Sequence, residues 1–165
     1  MKRALERAAH PYRDTDVIDS RAPRFNQATV GLLAALAVAT GWWAILAALA
    51  AQLAVGLTLG RRFCLPCLAY FELVQPVFGE GRLEDARPPR FANMVGVAFL
   101  AAAALAYALG ATTVGALLGS LVAALALLAA VTGFCAGCEA YKLGCLLTGR
   151  PFVSCPIPPQ PQRAR

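Results

Sequence analysis

The stretch "FANMVGVAFLAAAALAYALGATTVGALLGSLVAALALLAAVTGF", residues 91–134, contains no charged side chain. A helix needs roughly 20 apolar residues to cross the hydrocarbon core of a bilayer, so this stretch is long enough for two crossings. Gly110-Ala111-Thr112-Thr113 near its middle has the small and polar residues expected between two helices. The stretch therefore predicts a hairpin of two transmembrane helices, near residues 91–109 and 113–133.

A second stretch without charged side chains, residues 26–60, has the same form. Gly41-Trp42-Trp43 divides it and predicts helices near 26–42 and 44–60. Hydrophobic residues make up 59% of the 165-residue chain, well above the share typical of soluble domains. None of the four helices has a polar face, which disfavours a soluble bundle of Ala-rich helices. We predict an all-α membrane protein with four transmembrane helices and short interfacial helices.

The basic residues predict the orientation of these helices. All 15 Lys and Arg lie in the N-terminal segment, between residues 61 and 90, or after residue 141. The four-helix arrangement places these segments on one side, and basic loops stay in the cytoplasm. We therefore expect a multi-pass protein with both termini and the central loop cytoplasmic. The net charge of +6 is explained by this topology and by contact with the lipid bilayer, so no nucleic-acid partner is predicted.

Two motifs recur along the chain. "RAPRF" from Arg21 returns as "RPPRF" from Arg87, and "RFCLPCLAY" at 62–70 returns as "GFCAGCEAY" at 133–141. Each unit crosses the membrane twice, so the copies share one orientation about a pseudo-two-fold axis along the membrane normal. We predict two tandem parallel-oriented helical-hairpin repeats. The predicted organisation is a polar segment 1–20, a four-helix membrane domain 21–147 with repeats 21–70 and 87–141 around a loop 71–86, and a Pro-rich cytoplasmic tail 148–165.

The R-x-P-R-F motifs place an arginine and a phenylalanine where each repeat enters the membrane. An arginine can extend its charge to the lipid headgroups while the phenylalanine enters the apolar layer. Arg24, Phe25, Arg90 and Phe91 are therefore predicted interfacial anchors. A docking surface for a soluble partner is the alternative.

The C-x-x-C pairs are the candidate catalytic residues, namely Cys64, Cys67, Cys135 and Cys138. Two cysteines three residues apart lie on one face, close enough for a disulfide or for a shared metal. The cytoplasm keeps thiols reduced, which favours reactivity or metal binding over a structural disulfide framework. Arg61 and Arg62 precede Cys64 and stabilise a thiolate there, whereas Glu139 stands beside the second pair. Cys64 or Cys67 is therefore the predicted attacking thiol.

Three functions remain open for these thiols. The first is thiol-disulfide or persulfide exchange with a thioredoxin-like or sulfurtransferase-like protein, which would make the chain a component of a thiol-disulfide oxidoreductase. The second is a structural zinc or iron site formed by all four thiolates. The third is a non-catalytic membrane scaffold or interaction subunit in which the cysteines only pack.

Other chemistry is excluded by the composition. His10 is the only histidine, so a His-based triad is ruled out, and neither a P-loop nor a dinucleotide fingerprint occurs. No cofactor is therefore predicted beyond the zinc alternative. The sequence assigns no role to Cys145 or Cys155 and no oligomeric state.

Three stretches in order, "VIDSRAPRFNQATVG", "LEDARPPRFANMVGVAF" and "GFCAGCEAYKL", resemble the bacterial membrane proteins grouped as domain of unknown function 4395. The resemblance covers roughly residues 17 to 147. It implies a small polytopic protein of the bacterial inner membrane, with some members associated with thioredoxin-like or rhodanese-like partners. In that family the second cysteine pair is the more regular feature, and "CLPC" is a departure.

Overall fold

The computed structural model describes residues 9–149, which are mostly helical. Residues 1–8, and the part of the predicted tail from residue 150 that contains Cys155, lie outside the described residues. The elements in chain order are β1 (Val17–Asp19), α1 (Arg21–Thr40), α2 (Ala44–Thr58), α3 (Leu65–Ala69), α4 (Gln75–Phe78), β2 (Leu83–Asp85), α5 (Arg87–Ala108), α6 (Thr112–Thr132) and α7 (Ala136–Leu147). A 3-10 turn at Arg61–Phe63 precedes α3, and a π-helical turn at Tyr70–Val74 joins α3 to α4.

The breaks predicted in the two apolar stretches are confirmed. α1 ends at Thr40 and α2 begins at Ala44, while Leu109–Ala111 separates α5 from α6. Gly41 closes α1 with φ of +71°, a left-handed conformation that glycine adopts without a steric penalty. Each long apolar stretch thus forms a helical hairpin.

The two hairpins interlock. The principal neighbour of α1 is α6, and α2 packs mainly on α5, so two of the largest helix contacts join residues from different hairpins. Small residues permit this proximity: a Cβ on Gly31 of α1 would lie 3.1 Å from the backbone nitrogen of Leu127 on α6. Gly119 of α6 lies against Val38 of α1 near the other end. α1 and α6 are therefore antiparallel and in close contact along their length.

A short antiparallel ribbon joins the N-terminal ends of α1 and α5. Its pairs are Val17 with Asp85, Ile18 with Glu84 and Asp19 with Leu83. Backbone hydrogen bonds from Ser20 to Arg82 (2.8 Å) and from Ala86 to Asp16 (2.9 Å) extend the pairing at both ends. The ribbon therefore connects the two segments that precede the hairpins.

Asp19, the last residue of β1, has a buried carboxylate. Its Oδ2 accepts hydrogen bonds from the Tyr70 hydroxyl (2.9 Å), the Gln75 side-chain amide (3.1 Å) and the Gly81 backbone N–H (2.9 Å). Its Oδ1 accepts from the backbone N–H of Arg21, in the first turn of α1. These donors satisfy the buried charge and connect the start of α1 to the segment after the first cysteine pair.

Alanine and leucine form the core between the four long helices. Ala34, Ala37, Leu46, Leu100 and Ala103 are inaccessible to solvent. The outward faces are apolar as well, and the exposed large hydrophobic side chains on the long helices include Leu32, Leu36, Leu105, Leu117 and Val131. This surface is unlike that of a water-soluble bundle.

Two helices among the described residues, α5 and α6, are long and apolar enough to cross a membrane. α2 has 15 residues and spans about 22 Å, which is less than the hydrocarbon core of roughly 30 Å. The first turns of α1 contain Arg21, Arg24, Asn26 and Gln27, which lower its apolar character. The confirmed part of the predicted fold is thus a helical protein with two helices able to span a bilayer.

Candidate thiol site

Both cysteine pairs lie at the same end of the bundle, one beyond α2 and the other beyond α6. Cys64 is the N-cap residue of α3 and Cys135 is the N-cap residue of α7, and both have extended backbone conformations. Cys67 and Cys138 follow in the first helical turn. All four are free thiols. The two C-x-x-C motifs therefore share one local geometry, in which the first sulfur faces the amide end of a helix.

In the first pair, Cys64 is buried and Cys67 is half-buried. Hydrogen bonding from the Cys67 thiol, helped by the Cys67 backbone N–H, lowers the pKa of Cys64 to about 7 although burial opposes the shift. The same thiol contact and burial raise the pKa of Cys67. Gly56 of α2 makes room for the pair, because a Cβ there would lie 3.0 Å from the Cβ of Cys64. The contact thus favours the thiolate at Cys64 and the protonated thiol at Cys67.

The second pair repeats this division of roles. The Cys138 thiol donates to the Cys135 sulfur and lowers the pKa of Cys135 to about 6, although burial opposes this shift. The backbone N–H groups of Cys138 and Gly137 and the side chain of Gln27 also donate to this sulfur. The Cys138 N–H lies 3.4 Å from that sulfur. The thiol contact raises the pKa of Cys138.

The expected preference for the first pair as the attacking thiols stays a prediction, because hydrogen bonding lowers the pKa of the first cysteine in both pairs. The donors differ between the pairs: at Cys135, α7 supplies two backbone donors and α1 supplies Gln27, whereas Pro66 of "CLPC" has no N–H to donate. Hydrogen-bond donors, rather than flanking charges, are the contacts that lower the pKa of Cys64 and Cys135.

A cavity of about 260 Å³ lies beside the first pair and is lined by Cys64, Cys67, Arg61, Arg90 and Asn93, among others. Burial lowers the pKa of Arg61 and the nearby Arg90 adds to this shift, while Cys67, Asp16 and Asp14 oppose it. Arg61 donates to three backbone carbonyls of residues 11–15. The cavity is therefore positively charged and suited to an anionic group.

A separate cavity of about 140 Å³ lies beside the second pair, and no charged residue lines it. Its polar residues are Cys135 and the amides Asn26, Gln27 and Asn93. Asn26 is 3% exposed and donates from Nδ2 to Oδ1 of Asn93 at 3.4 Å. Its own Oδ1 is buried without a hydrogen-bond partner among the described residues.

Asn93 and Leu53 line both cavities. These two residues therefore lie between the cavity beside Cys64 and the cavity beside Cys135. Within residues 9–149, no group of three or more His, Cys, Asp and Glu side chains is arranged to hold a metal ion. The four thiols are thus not assembled into the ligand set that the zinc or iron alternative requires.

The predicted anchor residues contact the ends of the bundle. Phe25 packs on Tyr70 with ring centroids 5.9 Å apart, and Phe91 packs on Tyr141 at 5.7 Å. Each R-x-P-R-F motif therefore touches the tyrosine of a cysteine motif. The Arg24 guanidinium donates to the carbonyls of residues 130 and 131, the last turn of α6, and so stabilises the negative end of that helix. Their role at the lipid interface stays a prediction.

Residues 18–145 match the family described as Domain of unknown function (DUF4395). The chain belongs to this family. The match spans the four long helices and both cysteine pairs of this DUF4395 protein, and it confirms the resemblance seen in its three motifs. No curated protein and no solved structure matches the chain.

Sequence reasoning missed the amides of the DUF4395 site. Asn26, Gln27 and Asn93 stand at the beginning of the charge-free stretches, and Gln27 aligns with Asn93 when the two R-x-P-R-F motifs are superposed. The matching positions of these polar residues at the starts of two apolar helices could have indicated a polar site there. Cys145 lies buried on α7 and hydrogen-bonds with Tyr141.

The four thiols are expected to be alkylated over different pH ranges. Only the thiolate reacts, and its fraction rises with pH through the pKa, so modification of Cys135 should be half-maximal near pH 6 and that of Cys64 near pH 7. Cys67 and Cys138 should react slowly over this range because their pKa values are raised. Mass spectrometry of the labelled peptides measures each site.

The Cys138→Ala variant provides the control. It removes the thiol donor, so the midpoint for Cys135 should rise toward the ordinary thiol value of 9.0 while that of Cys64 stays unchanged. A common midpoint for all four cysteines near that ordinary value would contradict the assignment.

Proposed function

We propose that this protein spans the membrane with α1, α2, α5 and α6, as two parallel-oriented hairpin repeats with both termini in the cytoplasm. Several paired contacts support the repeat: α1 with α6 and α5 with α2, β1 with β2 about the Ile18–Glu84 pair, and the two phenylalanine–tyrosine contacts. The apolar outward faces of the helices support burial in lipid. The distribution of basic residues supports the orientation.

For the function, we propose thiol-disulfide exchange with a thioredoxin-like or rhodanese-like partner on the cytoplasmic side. The observation that carries this proposal is the position of two free thiol pairs at one end of the bundle, each with its first cysteine at the N-cap of a helix and its second in the first turn. Contact within each pair favours the thiolate at the first cysteine. A nucleophilic thiolate beside a proton-bearing thiol is the arrangement that dithiol exchange requires. Transfer of a persulfide sulfur from a rhodanese-like partner would use the same thiolates.

The exchange proceeds in two balanced steps. The Cys64 thiolate attacks one sulfur of a partner disulfide, which forms a mixed disulfide and releases the other partner sulfur as a thiolate that takes up a proton. Cys67 then loses its proton and attacks the mixed disulfide, forming the Cys64–Cys67 disulfide and releasing the reduced partner. The reverse sequence oxidises the partner. Cys135 and Cys138 exchange with the first pair in the same manner, by local motion past Asn93.

Arg61 and Arg90 supply the electrostatic part of partner recognition. They line the cavity beside the first pair, together with the two sulfurs. Positive potential at this opening favours approach of an acidic partner surface and stabilises the thiolate that leaves. The first pair is accordingly the proposed contact with the soluble partner.

A single-cysteine thioredoxin whose thiol is activated with a coloured leaving group tests the exchange. Cys67→Ser should form a stable mixed disulfide through Cys64 and release the coloured thiolate at close to the wild-type initial rate, since the attacking sulfur remains. In a background that also carries Cys135→Ser and Cys138→Ser, Cys64→Ser should slow the release at least about tenfold, because the sulfur that remains at the first pair has a raised pKa.

The buried Cys145 is the matched control for these variants, and Cys145→Ser should leave release unchanged. Equal rates for the Cys64→Ser and Cys145→Ser variants, with no mixed disulfide on a non-reducing gel, would refute the exchange at the first pair.

A further inference from the structure

The cavity beside Cys135 differs in chemistry from the one beside Cys64. Apolar side chains of all four long helices line most of it, including Val30, Leu53, Phe99, Leu121 and Leu125. It lacks the arginines that line the other cavity. A charged ligand would lose its hydration there without compensation. The cavity therefore suits a neutral molecule that partitions into lipid.

The polar end of this cavity has an unused hydrogen-bond acceptor. Oδ1 of Asn26 is buried and has no hydrogen-bond partner within residues 9–149, while its Nδ2 donates to Asn93. A buried amide oxygen without a donor costs on the order of 1–3 kcal/mol. A ligand with a hydroxyl group would donate to this Asn26 oxygen. If the ligand carried a carbonyl group in place of the hydroxyl, the carbonyl oxygen could accept a hydrogen bond from a side-chain amide. The three amides thus suit a head group that alternates between these two forms.

The reactive sulfur lines the same cavity. Cys135 is among the lining residues, together with Ala136 and Gly137 from the start of α7. The proton-bearing thiol of Cys138 is hydrogen-bonded to it. A bound head group would therefore lie beside a thiolate whose disulfide partner is already in contact, which is the arrangement needed for removal of two electrons.

We propose that this cavity binds the head group of a membrane quinone, which oxidises the Cys135–Cys138 dithiol. The inference rests on the proposed thiol exchange and names its electron acceptor. As the Cys135–Cys138 bond forms, the thiolate and the thiol give up two electrons and one proton. The quinone takes these and one further proton from solvent, and becomes a quinol whose hydroxyl donates to Asn26. Exchange with the first pair then returns the second pair to the dithiol form, so electrons pass from the soluble partner to the lipid phase.

The full chain in lipid nanodiscs, with a short-tailed benzoquinone as the probe, tests the proposal. One assay measures equilibrium binding of the probe, and the other measures its reduction by the pre-reduced protein. Asn26→Leu should weaken binding of the quinol form of the probe about tenfold, a loss equivalent to roughly one hydrogen bond, because only the quinol has the hydroxyl that donates to Asn26. Ala126→Phe should block binding by filling the cavity, whereas Ala124→Phe, on the exposed face of the same helix, should bind as the wild type does.

Two controls keep the outcomes distinct. Circular dichroism of Asn26→Leu and Ala126→Phe in the nanodiscs should match that of the wild type, which shows that these variants are folded. If the wild-type protein exchanges with thioredoxin but neither binds nor reduces the quinone, the quinone inference fails and the proposed function stands. If it binds the quinone without any thiol exchange, the proposed function fails and the redox role of the cavity fails with it. If phospholipid displaces the probe as effectively as unlabelled benzoquinone does, the occupant of the cavity is a lipid acyl chain and the proposal is overturned.

Discussion

Replacement of Asp19 by alanine is expected to destabilise the protein by about 3 kcal/mol or more. The change removes the acceptor of the Tyr70 hydroxyl, the Gln75 amide and the Gly81 N–H. Asp19 is 2% exposed, so water cannot replace the lost oxygen without opening the fold. Each buried donor without an acceptor costs on the order of 1–3 kcal/mol. Thermal unfolding in detergent micelles, followed by circular dichroism, measures the loss.

Asp85 provides the matched control because it occupies the corresponding position before α5. Its side chain is 10% exposed, but it pairs with Arg87 (2.6 Å), which is 54% exposed, so water reaches the ion pair; it also accepts from the Arg87 backbone N–H. Asp85→Ala should therefore cost only about 1 kcal/mol, the value of a helix cap and a surface ion pair. A similar loss of stability in both variants would show that the hydrogen bonds to Asp19 have no special importance.

Gly137→Val is expected to separate α7 from α5 and to weaken the hydrogen bonding of the second thiol pair. A Cβ at this position would lie 2.8 Å from the Cβ and 2.9 Å from the Cα of Ala92, so the backbones themselves must move apart. Overpacking of this kind costs about 1–3 kcal/mol. The displacement also takes Cys135 away from Gln27, the weakest of the donors that lower its pKa, so the pKa of Cys135 should rise while the Cys138 thiol contact keeps it below the ordinary value of 9.0.

Gly144 lies on the same helix and allows a matched comparison. A Cβ there would meet nothing within 4 Å, so Gly144→Val should change the stability by less than about 0.5 kcal/mol and leave the alkylation midpoint of Cys135 unchanged. Unfolding temperature and alkylation are measured on both variants. Wild-type alkylation in Gly137→Val would mean that the packing of α7 on α5 does not control this thiol.

The helical hairpins could be predicted because their signal is local. The absence of charge over residues 91–134 and the small residues at 110–113 are sufficient to define α5, α6 and the break between them. The same is true of α1 and of the Gly41 break. The resemblance to the DUF4395 family rested on three contiguous motifs, and it too was confirmed.

The remaining features depend on contacts between distant segments. The strands β1 and β2 have only three residues each and no hairpin turn between them, so nothing in "VID" or "LED" predicts their pairing. The hydrogen bond from Gln27 to Cys135 joins α1 to α7, and the burial of Asp19 depends on a loop more than fifty residues away. The length of α2 was overestimated, because an absence of charge continues through Leu59 and Gly60 after the helix ends at Thr58.

The interlocked helices have a consequence for biosynthesis. α1 leaves the ribosome first, yet its principal neighbour, α6, is the last of the four long helices to be made. Likewise, β1 cannot pair until β2 has been made, and Asp19 cannot accept its hydrogen bond from Gly81 until that residue has been made. In the proposed four-helix topology, the first hairpin is therefore inserted with its packing face open to lipid until the second hairpin is made. Coexpression of two fragments divided after Gly79 should restore the protein, while either fragment made alone would be a substrate for membrane proteases.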